Sequence, residues 1–564
     1  MARVSTDALP EPTTESTRRL REALTAAGFT ADGLLELLGA PAYAALARGE
    51  TVPALRATRG EGPLRTLTRL FLLRQTVPYD RARSALPIDE ALADRWLERV
   101  PGRDGAAPDG DASADDVPTG DAPTGDVPTG DAPTGDAPTG DAVRATVDVR
   151  PYSGPEGQDW WIVSDLGCAV GGAGGVGGPR EAAPQESAPQ ESAPHPASPG
   201  EDVVLGVGGA STTLAGIMVP TPAARALDLG TGSGVQALHA SRFATHVTAT
   251  DVNPRALRFA RLTLALSGAP EPELREGSLF EPVADEEPYD LIVSNPPFVI
   301  SPGARLTYRD GGMAGDDICR TLVQQAARHL APGGYCQLLA NWEHRHDEDW
   351  RERVSAWVPS GCDAWIVQRE VQDVTQYAEL WLRDAGDHQG DPAAYEERYD
   401  AWLEEFAARG TKAVGFGWVT LRRTDAERPS VLAEEWPHPV EQPLGEVIRA
   451  HFERQDYLRR THDAALLEHR FVLADEVVQE QVGPPGAEDP EYVVLRQNRG
   501  MRRATTVDTV GAGFAGVCDG TLSAGRILDA IGQLLGESPA ELRARTPEAI
   551  RLLVEQGFLM PVLD

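Results

Sequence analysis

The chain has 564 residues with 52 Lys and Arg against 86 Asp and Glu, a formal charge of −34. That length exceeds one typical domain and predicts two or three, and the strong negative charge argues against a broad nonspecific nucleic-acid surface while leaving a local basic groove open. Five cysteines, Cys168, Cys319, Cys336, Cys362 and Cys518, lack Cys-x-x-Cys spacing. They predict reduced thiols rather than a disulfide framework or zinc site, and with no membrane-length apolar run the expectation is a soluble, cytoplasmic protein that engages no membrane.

Residues 1–100 read as a helical N-terminal domain. Pro63 opens a helix with Leu64, Leu67, Leu70 and Phe71 on one face, and Ile88 to Val100 reads as another. Residues 101–142 form a spacer built on five Asp-Ala/Val-Pro-Thr-Gly copies (116–140), too poor in apolar side chains to offset chain entropy, and so expected to be disordered. A β-hairpin over 143–168 completes the N-terminal domain. Its Trp160 and Trp161 serve packing of a small sheet in preference to stacking on a base. Residues 169–202, rich in Gly, Pro and Ser, read as a second disordered spacer.

From 203 to 424 strands alternate with helices, the pattern of a parallel α/β sheet. Leu205 to Ser211 precedes the strand Arg225-Ala-Leu-Asp-Leu, which runs into Gly230-Thr-Gly-Ser-Gly234 and a helix from Val235 to Phe243. A glycine loop between strand and helix lets backbone approach a ligand. Val235 breaks the dinucleotide Gly-x-Gly-x-x-Gly pattern, and no Gly-Lys-Ser/Thr follows. The next strand, His246 to Asp251, ends on a carboxylate about 20 residues past the loop, where an acid that binds ribose hydroxyls is expected. Asn253-Pro254 caps the following helix and Gly268 closes it. Tyr289 to Ser294 is a further strand, and it ends on Asn295-Pro296-Pro297-Phe298.

Asp228-Leu-Gly-Thr-Gly-Ser-Gly234 resembles motif I of class I S-adenosylmethionine-dependent methyltransferases, and Asn295 to Phe298 resembles their Asn-Pro-Pro-aromatic signature. The resemblance spans about residues 203 to 345. It implies a Rossmann-like seven-stranded α/β core that binds S-adenosylmethionine through Asp228, Gly230, Thr231, Gly232, Gly234, Asp251, Val252, Ser278, Leu279 and Asn295. The catalytic set it implies is Asn295, Pro296, Pro297 and Phe298. In that signature the Asn oxygen and the following Pro carbonyl accept both N–H bonds of a planar NH2 group, and the aromatic ring stacks on it. Ser278 stands where many relatives carry Asp.

The core continues through a helix from Asp316 to Leu330, ended by Pro332-Gly333-Gly334, a strand from Tyr335 to Ala340, and a late antiparallel strand from Ala413 to Arg423. His344 and His346, among acids, read as a solvated loop in preference to a metal site, and no metal is expected. Residues 425–564 form an accessory α+β region, winged-helix-like in its order of helices and edge strand. There Leu522 to Leu535 and Ile550 to Val554 carry helical stripes, and Gly557 to Val562 a strand. Arg496, Arg499, Arg502 and Arg503 cluster at the turn Asn498-Arg-Gly500, where phosphate contact and a solvated turn are both open.

Asn-Pro-Pro-aromatic followed by Arg309-Asp-Gly-Gly-Met-Ala-Gly-Asp-Asp317 resembles the HemK/PrmC-type release-factor glutamine methyltransferases. Phe298, in place of their usual Tyr, resembles the rRNA amine methyltransferases. The partner expected is a protein of the translation machinery or structured RNA, with a protein glutamine amide preferred to a base in rRNA or tRNA. A non-catalytic S-adenosylmethionine-binding module is the reading from another class, disfavoured because a sensor needs no amide acceptors. An NAD oxidoreductase ranks last, given Val235.

Overall fold

The computed structural model describes residues 9–100, 141–168, 203–302, 313–486 and 490–562. Both repeat tracts, and Arg309 to Gly312 of the glycine-rich motif, lie outside the described residues. The chain divides into two compact units, 1–171 with 265–268, and 172–264 with 269–564.

The first unit opens with helices Thr14–Ala26, Ala31–Ala47, Val52–Ala57, Pro63–Phe71, Tyr79–Ala85 and Ile88–Ala93. Its Pro63 helix buries Leu67, Leu70 and Phe71 as the periodicity predicts. The helix expected from Ile88 to Val100 stops at Ala93. Arg95 turns left-handed (φ 63°), and Leu97–Val100 becomes a strand paired antiparallel with Ala142–Ala145. Asp148–Ser153 and Asp159–Ser164 form an antiparallel hairpin. Trp160 and Trp161 are buried, and the Trp161 Nε1 donates to the Phe29 carbonyl at 2.8 Å, so neither ring is available to a base.

In the second unit eight strands make one sheet: β1 (Ala223–Leu229), β2 (Ala244–Asp251), β3 (Glu273–Glu276), β4 (Tyr289–Ser294), β5 (Leu330–Arg345), β6 (Cys362–Asp373), β7 (Thr411–Arg423) and β8 (Val431–Glu435), in the order β8-β6-β7-β5-β4-β1-β2-β3. All neighbours are parallel except β7, which runs antiparallel to both β5 and β6. This is the Rossmann-like α/β core, enlarged by one strand over the seven expected. The extra strand, β8, pairs with β6 from Ala364↔Val431 to Gln368↔Glu435 and covers backbone groups that would otherwise face solvent. The helices that follow the strands are α1 (Gly209–Ile217, ahead of β1), α2 (Val235–Ala240), α3 (Pro254–Ser267), α4 (Asp317–His329) and α5 (Trp350–Ser355).

Between β6 and β7 the chain inserts two helices, α6 (Val374–Asp384) and α7 (Pro392–Arg409). Since β6 runs parallel to β8 and antiparallel to β7, while β7 is antiparallel to β5, this pair leaves the sheet at the same end as the tips of β4 and β5. Its Tyr377, Trp381, Trp402 and Phe406 build a cluster with Val414 and Phe416 of β7 and with Val299 and Ile300. On the opposite face a second cluster joins Ile318, Leu322 and Val323 of α4 to Leu338, Ala340 and Trp342 of β5.

His344 lies inside β5 rather than in a solvated loop. It is half-buried, its Nε2 sits 2.6 Å from Gln368 Oε1, and its ring stacks on Trp350 at 5.8 Å. Among the described residues no group of three or more His, Cys, Asp or Glu is placed to hold a metal, and no helix is long and apolar enough to cross a membrane.

Beyond β8, helix Gly445–Arg460 leads into an α+β region with two three-stranded antiparallel sheets. Helices Ala524–Leu535 and Pro547–Glu555 precede Leu559–Pro561, an edge strand as predicted. The arginine cluster is largely neutralised. Arg496 pairs with Glu480 at 2.7 Å, Arg499 with Glu476 at 2.5 Å, and Arg503 with Glu434 at 2.5 Å beneath the Trp436 ring.

Candidate active site

The parallel strands align their tips in one row. Leu229 of β1 faces Thr250 of β2 on one side and Ser294 of β4 on the other, so Gly230, Asp251 and Asn295 emerge side by side. The Ser294 hydroxyl donates to the Leu229 carbonyl at 2.7 Å and fixes β4 against β1 one residue before Asn295.

The glycine loop is laced to these tips. The Gly230 and Thr231 amides both donate to the Thr250 carbonyl at 2.9 Å, and the Gly232 amide donates to Asp251 Oδ2 at 2.9 Å. Gly234 (φ +82°) is required by close approach: a Cβ there would lie 2.8 Å from the Ala260 Cα of α3. At Gly230 and Gly232 a Cβ would meet nothing within 4 Å, so the loop leaves open space above the sheet.

Asp228 is fully buried. Its Oδ2 accepts from the Thr231 hydroxyl at 2.6 Å and the Ala237 amide at 2.8 Å, while Oδ1 has no partner. Burial pushes this carboxyl up to about 7, against the two hydrogen bonds that favour its charged form. An unfolded aspartate titrates near pH 3.9, so on raising the pH the unfolded state loses its proton first. The contribution of Asp228 to stability is therefore intact below about pH 4 and falls as the pH approaches about 7. Asp228→Asn, whose amide oxygen keeps both bonds, is expected to flatten that fall. Urea unfolding of the two proteins from pH 4 to 7 measures it, and a wild-type-to-variant difference constant with pH would refute the assignment.

Asp251 ends β2. Its Oδ1 accepts from the Asn253 amide at 2.9 Å, and burial raises its pKa in spite of the backbone bonds it accepts. Val252 beside it is exposed, and the Asn253 side chain caps α3 by accepting from Arg255 at 2.9 Å. The Gly277 amide donates to the Asp251 carbonyl at 3.0 Å and brings Ser278 and Leu279 to the same rim, with Leu279 in a left-handed conformation (φ 49°).

Asn295 is half-buried, and its Oδ1 is a buried acceptor with no partner. Pro296 is buried, Pro297 half-buried, and the Phe298 ring packs against both clusters flanking the sheet. The predicted site residues thus gather at the carboxyl ends of β1, β2, β3 and β4, with Asp228 buried inside β1 beneath them. Two others escaped sequence reasoning. Gln236 on α2 donates to the Ser211 carbonyl at 2.8 Å and ties α1 to the loop. Tyr377 on α6 accepts from the Ile300 amide at 3.0 Å, just beyond the tetrapeptide. Neither sits in a recognisable motif, and only the fold brings them here.

Residues 206–355 match the family described as methyltransferase small domain. Residues 26–107 and 449–561 match two domains of unknown function, DUF7059 and DUF7782. The release factor glutamine methyltransferase of Deinococcus radiodurans is 41% identical over 124 residues, 20% of this chain and 43% of that protein. The ribosomal protein uL3 glutamine methyltransferase of Bradyrhizobium diazoefficiens is 36% identical over 129 residues, 20% of this chain and 40% of its own length. Ribosomal RNA small subunit methyltransferase C of Escherichia coli is 32% identical over 133 residues, covering 23% and 35%. The chain thus spans less than half the length of these relatives. Among solved structures, the Thermus thermophilus 16S rRNA N2 G1207 methyltransferase is 16% identical, with 38% of this chain and 49% of that one covered and a TM-score of 0.24. The strand order above defines the architecture without it. Its motifs and its family match make the segment 206–355 a class I methyltransferase domain.

Proposed function

We propose that the protein is an S-adenosylmethionine-dependent N-methyltransferase acting on a planar NH2 group, the side-chain amide of a protein glutamine in the translation machinery. The observation that carries this reading is the Asn295 Oδ1, buried without a partner at the tip of β4 beside the glycine loop. A buried acceptor left unpaired costs about 1–3 kcal/mol, and a ligand N–H removes that cost.

The residues at the loop fit the cofactor. The open floor over Gly230 and Gly232, held in shape from beneath by the buried Asp228, suits a zwitterionic end, the Asp251 carboxylate suits the ribose hydroxyls, and Ser278 and Leu279 suit the base. When bound, that group supplies an electrophilic methyl on a sulfonium. The protein's own part is to prepare the nucleophile. Asn295 Oδ1 and the Pro296 carbonyl accept the two N–H bonds of the target amide, which draws its lone pair out of conjugation. The Phe298 ring, braced on both sides, lies against the flat group and holds it in line. Neither acceptor is a base, so the proton leaves to solvent after transfer.

Asp251→Ala is expected to weaken S-adenosylhomocysteine binding at least tenfold by calorimetry with the fold kept, and equal affinity would refute the ribose role. The reading as a whole is tested by tritiated methyl transfer from S-adenosylmethionine into soluble extract of a strain lacking the protein. Label destroyed by protease but not RNase supports a protein acceptor. Label lost to RNase supports the exocyclic amine of an RNA base, the alternative that Phe298 favours, and no label refutes methyl transfer.

A further inference from the structure

We infer that Tyr377 is a positioning residue for methyl transfer, fixing through its hydroxyl the chain that leaves Asn295–Phe298. The inference rests on the function proposed above. Tyr377 is fully buried on α6, one of the two helices inserted between β6 and β7. Its oxygen accepts from the Ile300 backbone amide at 3.0 Å and from Asn341 Nδ2 at 2.9 Å. Asn341, also buried, belongs to β5, the strand next to β4. One oxygen thus joins three parts of the fold: the exit of the tetrapeptide, the neighbouring strand and the inserted helix.

The bond to Ile300 matters because the exit is otherwise paired only at an isolated β-bridge on Phe298, among the described residues. Ile300 lies beyond the end of β4 in no strand or helix, and with prolines at 296 and 297 the exit lacks two backbone donors from the outset. The ring is held by Trp381, Trp402, Phe406 and Phe416 at centroid distances of 6.1, 6.0, 5.9 and 5.4 Å, so the oxygen is rigidly placed. Phe298 packs against this same cluster. Burial pushes the phenol well above its ordinary range, so it stays neutral and acts as an acceptor of hydrogen bonds rather than as an acid or base. Small displacements of a group that orients a reacting atom are costly in rate, which makes this brace kinetically visible.

Tyr377→Phe removes the oxygen and keeps the ring. Four full-length proteins, wild type, Tyr377→Phe, Asn295→Ala and the double variant, are compared for initial rates of tritiated methyl transfer into deletion-strain extract across extract concentrations. S-adenosylhomocysteine affinity is measured for each by calorimetry. The expected result is a maximal rate at least tenfold lower in Tyr377→Phe, with half-saturation and S-adenosylhomocysteine affinity within about threefold of wild type. In the Asn295→Ala background the same change is expected to cost less than twofold, because a brace that acts through Asn295 has nothing left to aim. Equal losses in both backgrounds, or a wild-type rate in Tyr377→Phe, would overturn the inference. Hydrogen exchange over 298–302 decides the physical contact independently of activity and, in the wild type, of any variant's folding. Slow exchange at Ile300 is expected in wild type and fast exchange in Tyr377→Phe. Fast exchange in wild type would overturn the inference even where methyl transfer is found. Slow exchange with no transfer by wild type would instead sink the methyltransferase reading and, with it, the positioning role.

Discussion

Asn295→Ala is expected to retain S-adenosylhomocysteine affinity within about threefold while raising the barrier to methyl transfer by about 2–4 kcal/mol, the cost of losing one oriented polar group at a reacting centre. That is a rate loss of about 30- to 1000-fold. Asn295 Oδ1 is buried and unpartnered, so the substitution breaks no hydrogen bond to that oxygen and the fold has little to lose. What disappears is an acceptor placed where Ser294 and Leu229 lock two strand tips together. Asn295→Asp separates acceptance from neutrality. Its carboxylate accepts as well as the amide, but it brings a third carboxylate to a row that already holds Asp228 and Asp251, and its burial as a charge is penalised. The aspartate variant is therefore expected to fall between wild type and alanine at neutral pH. Initial rates of tritiated methyl transfer measure both, and wild-type turnover in Asn295→Ala would remove the amide-acceptor mechanism.

The glycine loop and the acid at the neighbouring strand tip were legible in the sequence because their constraints are local. Glycines at positive φ, an acid at the end of the next strand and a capping Asn before Pro254 each leave a mark on adjacent residues. The acid of the motif was legible as a residue but not in its bonding: Asp228 also staples the loop, through Thr231 and Ala237. Pairings between distant segments left no such mark. Leu97–Val100 read as helix because its partner, Ala142–Ala145, follows the long repeat tract. His344 read as loop for the same reason. Its strand identity comes from β7, which pairs with β5 as far as Arg345. Tyr377 is the sharpest case, since its role depends on an insertion folding back over the tip of another strand.

Arg353→Ala is expected to destabilise the protein by about 3–5 kcal/mol, the usual consequence of stranding a buried charge. Asp316 is 1% exposed, and the Arg353 guanidinium grips it in a fork, Nη1 to Oδ2 at 2.6 Å and Nη2 to Oδ1 at 2.7 Å. Without Arg353 the carboxylate keeps only the Glu343 amide at 2.9 Å. Glu343 is itself fully buried and answered by Arg345 at 3.0 Å and Arg409 at 2.5 Å. The left-handed Gly315 brings the chain against that glutamate, where a Cβ would lie 3.3 Å from its Oε2. Such a pair is weak evidence for stability as such, because desolvation offsets much of its attraction. Its specificity lies in register: only one placement of residue 316 satisfies the α5 arginine and the β5 amide together. Arg353→Met with Asp316→Leu is therefore expected to recover most of the stability lost by Arg353→Ala, while methyl transfer recovers less. Urea unfolding and initial rates on the same preparations separate the two. Full recovery of both would show that the charges here contribute solvation cost and nothing to the placement of Asp316 ahead of α4.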